Sequence, residues 1–409
     1  MADDINPEGE TPRAPAAPAA HAAPAPRPPA APTPNLAGKT TSAASAGGAA
    51  AKVGVPATAA VAAGRAPDDE SPLLTRRAWL GLAWGAFSAA SAAALAADGV
   101  VAGDRVAGYV PNVIDAVVAM LATASLGGVW SSCSPDFGVA GLVERFGQIA
   151  PKVLFTADGY YYNGKAHDSL ARVAEALAQL PSVRRVVVIP VTGGGGGLNQ
   201  GVMLADYLSG AATGLRFERL PFDHPLFVLY SSGTTGKPKC IVHGAGGSLL
   251  EHQKEHLLHT DLGPEDVFFY FTTCGWMMWN WLVSALATGC TIVLYDGAPG
   301  YPQPDSLMQL VDQEGITVFG TSAKYLSLLE KEGMQPAGRY RLSSLRTVLS
   351  TGSPLSPESF RYVYRHISKD VLLSSIAGGT DILGAFASGN PCLPVHAGEL
   401  QCKGLGLDV

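Results

Sequence analysis

The chain has 409 residues, enough for more than one domain and a sizeable core. At 47% apolar and 15% charged residues it has the balance of a globular protein, and a net charge of −6 removes the electrostatic case for nucleic acid. Six cysteines, Cys133, Cys240, Cys274, Cys290, Cys392 and Cys402, form no C-x-x-C pair and match no zinc spacing. They read as buried small residues in a reducing compartment.

Residues 1–72 are Ala, Pro, Gly, Ser and Thr with scattered charges, as in "APAAPAAHAAPAPRPPAAPTP". Proline blocks helix continuation and bulky apolar side chains are nearly absent, so this stretch is expected to be a disordered tail. The next segment, "LLTRRAWLGLAWGAFSAASAAALAADG", has two readings. It is an Ala-rich helix, or a twin-arginine export signal opened by Arg76-Arg77. Its Ala and Ser content makes it a poor membrane span, and a signal belongs at the extreme N-terminus.

From Val100 the pattern alternates. "DRVAGYVPN" predicts a strand and loop, "VIDAVVAMLATASLGGVW" a helix ending at Gly127-Gly128, "KVLFTAD" a strand, "DSLARVAEALAQL" a helix and "VRRVVVIPV" a strand. "GGGGG" at 193–197 predicts a flexible surface loop. After Gly244 the rhythm resumes, with helices expected at "SLLEHQKEHLLHTDL", "WNWLVSALATGC", "PDSLMQLVDQEG", "AKYLSLLEKEG" and "SPESFRYVYRHI". Strands are expected at "DVFFYFT", "TIVLYDG", "ITVFGTS", "LRTVLSTG" and "VLLSS". This βαβ order predicts an α/β fold of layered, mostly parallel sheets flanked by helices over 73–409. The last residues, "GELQCKGLGLDV", carry strand and turn types without a closing element.

Between the two halves lies "YSSGTTGKPK". Ser231, Ser232, Thr234 and Thr235 supply hydroxyls, Gly233 and Gly236 supply approachable backbone amides, and Lys237 and Lys239 supply charge. These are the donors that phosphate oxygens require. The spacing is not that of a Walker loop, because Pro238 follows the lysine where Ser or Thr would stand. Read by itself, the loop is either a phosphate cradle or a polar surface linker.

The loop resembles the signature of the adenylate-forming superfamily of acyl-CoA synthetases, luciferases and peptide-synthetase adenylation domains. "GYVPN", "MLATASLGGVWSSCSPDFG", "YYYNGKAHDSL", "FTTCGWMMWNWLVSALATGCTIVLYDG" and "GGTDILGAFASGNPCLPVHAGELQCKGLG" narrow the resemblance to the acetoacetyl-CoA synthetases of that superfamily, over roughly 73–409. The resemblance implies an AMP-forming ligase with ATP, Mg²⁺ and CoA as co-reactants and acetoacetate as the acid. It implies no nucleic acid or membrane partner and a cytosolic setting. Ser231 to Gly236, Lys237 and Lys239 would hold the β- and γ-phosphates, with Thr234 and Lys237 acting in catalysis.

By the same resemblance Gly352, Ser353 and Pro354 in "STGSPLSPESF" would lie against adenine. The residues alone also read as a helix start, with Ser356 capping and Pro357 in the first turn. Gly378, Gly379, Thr380 and Asp381 stand where the superfamily has an aromatic-Gly-x-Thr-Glu block. Thr380 would touch the α-phosphate and Asp381 the magnesium ion, while Ala377 replaces the stacking aromatic. Trp276, Met277, Met278 and Asn280 would shape the acyl pocket, or serve as core at a strand-to-helix junction.

His252, His256 and His259 fall on one helical face, yet Glu251, Lys254 and Glu255 beside them suggest a charged, solvated helix, with no HExxH present. His243 is the better neighbour for the site. The resemblance also implies a mobile C-terminal domain with a catalytic lysine, and no segment of these 409 residues matches it. Three alternatives remain from sequence: a non-catalytic nucleotide-binding fragment, an incomplete gene model, or a ligase for acetate or propionate.

Overall fold

The computed structural model describes residues 49–52, 87–194, 198–211, 214, 216–231 and 236–409. The expected tail therefore lies outside the described residues, apart from one four-residue strand. Arg76-Arg77, residues 195–197, and Ser232, Gly233, Thr234 and Thr235 also lie outside them.

Two large sheets carry the fold. The first is formed by β2 (Arg105–Tyr109), β3 (Val129–Cys133), β4 (Val153–Ala157), β7 (Arg185–Ile189), β8 (Gly201–Met203), β9 (Pro225–Ser231) and β10 (Lys239–Gly244). Its order is β10-β9-β3-β2-β4-β7-β8, parallel throughout except for the β9–β10 hairpin. The second sheet has β1 (Ala49–Lys52), β11 (Val267–Tyr270), β12 (Thr291–Asp296), β13 (Val318–Ser322), β14 (Thr347–Thr351) and β15 (Leu372–Ser375), in the order β1-β12-β11-β13-β14-β15. Here only β1 is antiparallel. This strand lies inside the stretch expected to lack structure. Backbone pairing with the outer edge of β12 needs no bulky side chain, so composition gave no sign of it.

Side chains alternate across each strand, which sorts them into layers. Val106 and Phe155 of the first sheet share one core with Phe268, Tyr270, Ile292, Leu294 and Leu349 of the second. Their neighbours Ala107 and Leu154 face the opposite way, into a cluster with Leu142, Phe146 and Val173. Phe269, Val293, Phe319 and Val348 likewise turn outward, toward Leu307, Leu326 and Phe360. The result is five layers. Helices α3 (Val139–Ile149) and α4 (Leu170–Leu177) cover the first sheet, and α8 (Ser306–Glu314), α9 (Ala323–Lys331) and α10 (Pro357–Tyr362) cover the second. Between the sheets lie α1 (87–97), α2 (Ile114–Ser125) and α7 (Met277–Ser284).

That central position explains the composition of α2 and α7. Ala116 to Met120, Ala122 and Thr123 are buried on α2, and Met277 to Val283 are all buried on α7. A helix apolar on every side belongs in an interior layer. Hydrogen bonds stitch the two sheets where α7 begins. Trp279 Nε1 donates to Asn112 Oδ1 at 2.9 Å, and Ser132 Oγ donates to the Cys274 carbonyl at 2.7 Å.

The elements that escaped the sequence pattern include β3, β8, β9, β10, α3, the β5–β6 hairpin (Gly159–Tyr162 and Lys165–Asp168), and a small antiparallel sheet near the end of the chain. That sheet contains β16 (Ala377–Gly379), β17 (Gly384–Ser388) and β18 (Cys402–Lys403). The cysteines are all free, but only Cys133, Cys274 and Cys290 are buried. Cys240 and Cys402 are half-buried and Cys392 is exposed, which corrects the uniform reading from sequence.

Gly320 sits in β13 directly across from Tyr270 of β11, and a Cβ there would fall on the Tyr270 ring. Gly320→Ala is expected to destabilise the chain by about 1–3 kcal/mol through overpacking. A urea titration would show this as a lower midpoint at unchanged slope; an unchanged midpoint would contradict the close approach.

Candidate active site

Ligands of open parallel sheets bind beyond the carboxyl ends of the strands. Here the ends of β14 and β15 open on a cavity of about 510 Å³. One wall is the turn that leaves β14, Gly352 to Leu355, and a second is the segment leaving β15 through Ser375 and Ile376 into Ala377–Thr380. The two walls are tied together where Thr351 Oγ1 donates to the Ile376 carbonyl at 2.8 Å. The opposite wall comes from the start of α7, with Trp276, Met277, Met278 and Trp281, and from Glu255.

Nine of the anticipated residues meet here. Gly352, Ser353 and Pro354 line the cavity, and so do Gly378, Gly379 and Thr380, together with Trp276, Met277 and Met278. The helix-start reading of the first block also holds: Ser356 Oγ accepts the Ser359 N–H at 3.2 Å, and Pro357 opens α10. Asn280 is placed elsewhere. It is fully buried one turn along α7, off the cavity wall, and neither amide atom has a hydrogen-bond partner. Asp381 is exposed just past Thr380 and outside the lining. His243, on β10, is buried with the Thr380 backbone and the Asp381 carboxylate beside it, and burial holds its pKa below the usual value.

The Ser/Thr/Gly run joins β9 to β10. Ser231 ends the first strand and pairs with Lys239, which begins the second. Gly236 and Lys237 are exposed, and the Pro238 carbonyl accepts from Gln148 Nε2 at 2.9 Å. None of the described residues of this loop lines the cavity.

The histidine face reverses the sequence expectation. On α6 (Ala245–Lys254) and the wide turn that continues it (Glu255–His259), His252, His256 and His259 are buried. Leu250 and Leu258 are instead 63% and 55% exposed. The rings go inward because each finds a polar partner. His252 Nε2 donates to the Leu383 carbonyl at 2.8 Å. His259 Nδ1 donates to the Gly389 carbonyl at 2.7 Å, and its Nε2 accepts the Leu405 N–H at 3.1 Å. His256 Nε2 lies 3.0 Å from Ser284 Oγ. His252 and His259 therefore dock this helix onto the small sheet next to Thr380, while His256 faces α7.

Glu255 is the site residue the sequence reading missed, since only the folded neighbours bury it. It is 3% exposed. Its Oε1 accepts the Ala385 N–H at 2.6 Å and its Oε2 accepts Trp281 Nε1–H at 2.7 Å. Burial is the main reason its pKa rises, to about 7; the Ala385 N–H opposes the shift, and neighbouring Glu251 adds to it. Lys254 Nζ bridges the two carboxylates, 2.7 Å from Glu251 Oε1 and 3.8 Å from Glu255 Oε1. Gly384 makes room for the pair: a Cβ there would meet both oxygens.

These shifts set the response of stability to pH. Burial lowers His252 from 6.5 to about 4 and holds His256 well below 6.5. The unfolded chain therefore binds more protons than the folded one below pH 6.5, and stability falls as pH drops from there toward 4. Glu255 acts with the opposite sign, its contribution being full below pH 4.5 and lost as pH rises through about 7. Urea titrations followed by tryptophan fluorescence are expected to give a shallower acid slope for His252→Gln than for the parent. Equal slopes would show that His252 is not held neutral.

Comparison with known proteins gives the chain's family. The family model described as AMP-binding enzyme matches residues 86–398. An acetoacetyl-CoA synthetase from Gallus gallus is 50% identical over 327 residues, covering 78% of this chain and 49% of that protein. An acetoacetyl-coenzyme A synthetase from Rhizobium meliloti (strain 1021) is 54% identical over 321 residues, covering 77% and 49%. The solved structure of acetoacetyl-CoA synthetase from Streptomyces lividans superposes with a TM-score of 0.76 at 50% identity, over 79% of this chain and 50% of that one. The chain thus spans about half the length of the relatives it matches. With a family model covering most of its length and a fold shared with a solved acyl-CoA synthetase, the chain belongs to the AMP-binding enzyme family.

Proposed function

We propose that the protein activates acetoacetate with ATP and transfers the acyl group to CoA. The observation that carries this reading is the single cavity onto which Gly352–Pro354, Gly378–Thr380 and Trp276–Met278 converge. A carboxylate oxygen attacks the α-phosphorus of ATP and pyrophosphate leaves, giving an acyl-adenylate. The CoA sulfur then attacks the acyl carbon, loses its proton, and AMP leaves. Both steps depend on stabilising charge on phosphate and carbonyl oxygens.

The chain's residues divide this work by position. Backbone around Gly352 and Gly378 lets the nucleotide approach closely, and the Thr380 hydroxyl donates to the α-phosphate. The 231–239 loop holds the β- and γ-phosphates through hydroxyls, amides and Lys237. Trp276, Met277 and Met278 close a dry wall around the acid and keep water from the mixed anhydride. Asp381 offers the hard, exposed oxygen that magnesium accepts. The ion would neutralise charge on the phosphates.

We read the setting as cytosolic, where both ATP and CoA are available. Among the described residues no helix is long and apolar enough to cross a membrane.

ATP–pyrophosphate exchange tests the reading, run on a protein of its relatives' full length and on this chain. Acetoacetate is expected to support exchange better than acetate or propionate; a preference for either of these would reject the substrate. Nucleotide binding without turnover by this chain would assign it binding alone. Thr380→Ala, and joint replacement of Thr234, Gly236 and Lys237, are each expected to lower exchange by roughly 10²-fold or more, since each removes donors to developing charge. Rates within a factor of two of the parent would overturn these roles.

A further inference from the structure

We propose that His252 is a positioning residue for nucleotide binding: its hydrogen bond to Leu383 sets the turn that presents Thr380 to the α-phosphate. The inference rests on the acid-activating function proposed above, in which Thr380 donates to that phosphate.

Thr380 opens the connection between β16 and β17. Gly379 pairs with Gly384, so Thr380 to Leu383 form a four-residue turn, and the Leu383 N–H closes it on the Thr380 carbonyl at 3.3 Å. Among the described residues, those other than glycine with positive φ are Ala150, Asn163, Asp261 and Leu383. Alanine is small, and Asn and Asp can bond their own backbone in this region. Leu383, at φ 54°, is bulky and has no such local support. A residue of this kind persists there only where its surroundings over-determine the conformation.

Two contacts do so. The Leu383 side chain is buried in the core that the two sheets share. Its carbonyl accepts from Nε2 of the buried His252 at 2.8 Å. Two residues further along, the Ala385 N–H donates to Glu255 Oε1 at 2.6 Å. The helix α6 and the turn that continues it therefore grip the main chain on both sides of Gly384, where the missing Cβ lets them approach.

His252 works from behind the site. Thr380 lines the cavity and His252 does not, so any influence of the ring on a ligand passes through the main chain of this turn. Without the ring N–H, the Leu383 carbonyl loses this bond and the strained φ loses one of its two supports. The turn then relaxes, and the Thr380 hydroxyl leaves its place. A hydrogen bond weakens steeply with such a displacement. The adenine side is built from another strand, by Gly352 to Pro354 beyond β14, and does not depend on that hydroxyl.

The test is calorimetric titration of the chain with AMP and with adenosine, which differ by the phosphate alone. The ratio of the two affinities is read, because a partly unfolded sample changes both alike. The parent is expected to favour AMP. His252→Leu is expected to lower that ratio by roughly 10-fold, the worth of one hydrogen bond to a charged group. His252→Gln, whose amide nitrogen reaches the place of Nε2, should keep a ratio close to the parent's. His252→Asn, whose amide nitrogen takes the place of Nδ1 and stops short of the carbonyl, should behave as His252→Leu does, and replaces it if that variant does not fold. Thr380→Ala should lower the ratio to a similar degree. Adding His252→Leu to Thr380→Ala should lower it no further, since the ring acts through that hydroxyl.

A parent-like ratio in His252→Leu and His252→Asn, or a further fall on adding His252→Leu to Thr380→Ala, would reduce His252 to a strut between α6 and β17 and overturn the inference, with nucleotide binding intact. If Thr380→Ala keeps the parent ratio, the place of Thr380 at the α-phosphate falls and the inference falls with it. If the parent binds neither AMP nor adenosine, the nucleotide-binding reading itself is overturned.

Discussion

The constraint on which the structure turns is that two sheets share one core. Val106, Trp130 and Phe155 from one sheet and Phe268, Ile292 and Leu349 from the other bury themselves against the same three interior helices. Parallel sheets need both faces covered, and sharing a central helical layer covers two faces at once. It also fixes where α7 begins, because Trp279 is anchored to Asn112 and Cys274 to Ser132 across the junction. The residues that face the cavity, Trp276 to Met278, are the start of that helix. The acyl wall is thus an extension of the packing between sheets, and a change in one moves the other.

The second support of the site is polar. The small β16–β18 sheet, which bears Thr380, has few apolar side chains to bury, so hydrophobic burial alone cannot hold it. It is held by His252, His259 and Glu255, each bonded to a backbone group of Leu383, Gly389, Leu405 or Ala385. A side chain buried against a backbone amide or carbonyl must keep that bond or face a desolvation cost. This gives the segment a defined position with little core of its own. It also explains why α6 turns its histidines inward and leaves Leu250 and Leu258 in contact with solvent.

Much of this was legible in the sequence. The βαβ rhythm gave the two parallel sheets because interior strands such as β4, with every residue buried, read as unbroken apolar runs. Ser356-Pro357 marked the start of α10 because capping is a local interaction. The adenine-side and acyl-side blocks could be quoted as motifs, and they converge on one cavity. What failed was what depends on partners distant in sequence. The histidine face was read as solvated because its neighbours on the helix are charged. Nothing within one helix reveals that a carbonyl 131 residues away accepts from His252. Asn280, read from sequence either as acyl pocket or as core, lies buried and off the cavity wall, since a helix turns about 100° per residue.

By itself, then, the sequence determined the fold class, much of the order of the elements and the short glycine-rich blocks that resemble the family's motifs, because periodicity, capping and glycine-rich loops are properties of neighbouring residues. Tertiary structure alone decided which polar groups are buried: Glu255, the inward histidines, and the place of Glu255 on the cavity wall. Burial of a charge is set by whatever else surrounds it, and those surroundings are assembled from β17, α6 and α7, segments more than a hundred residues apart at the extremes.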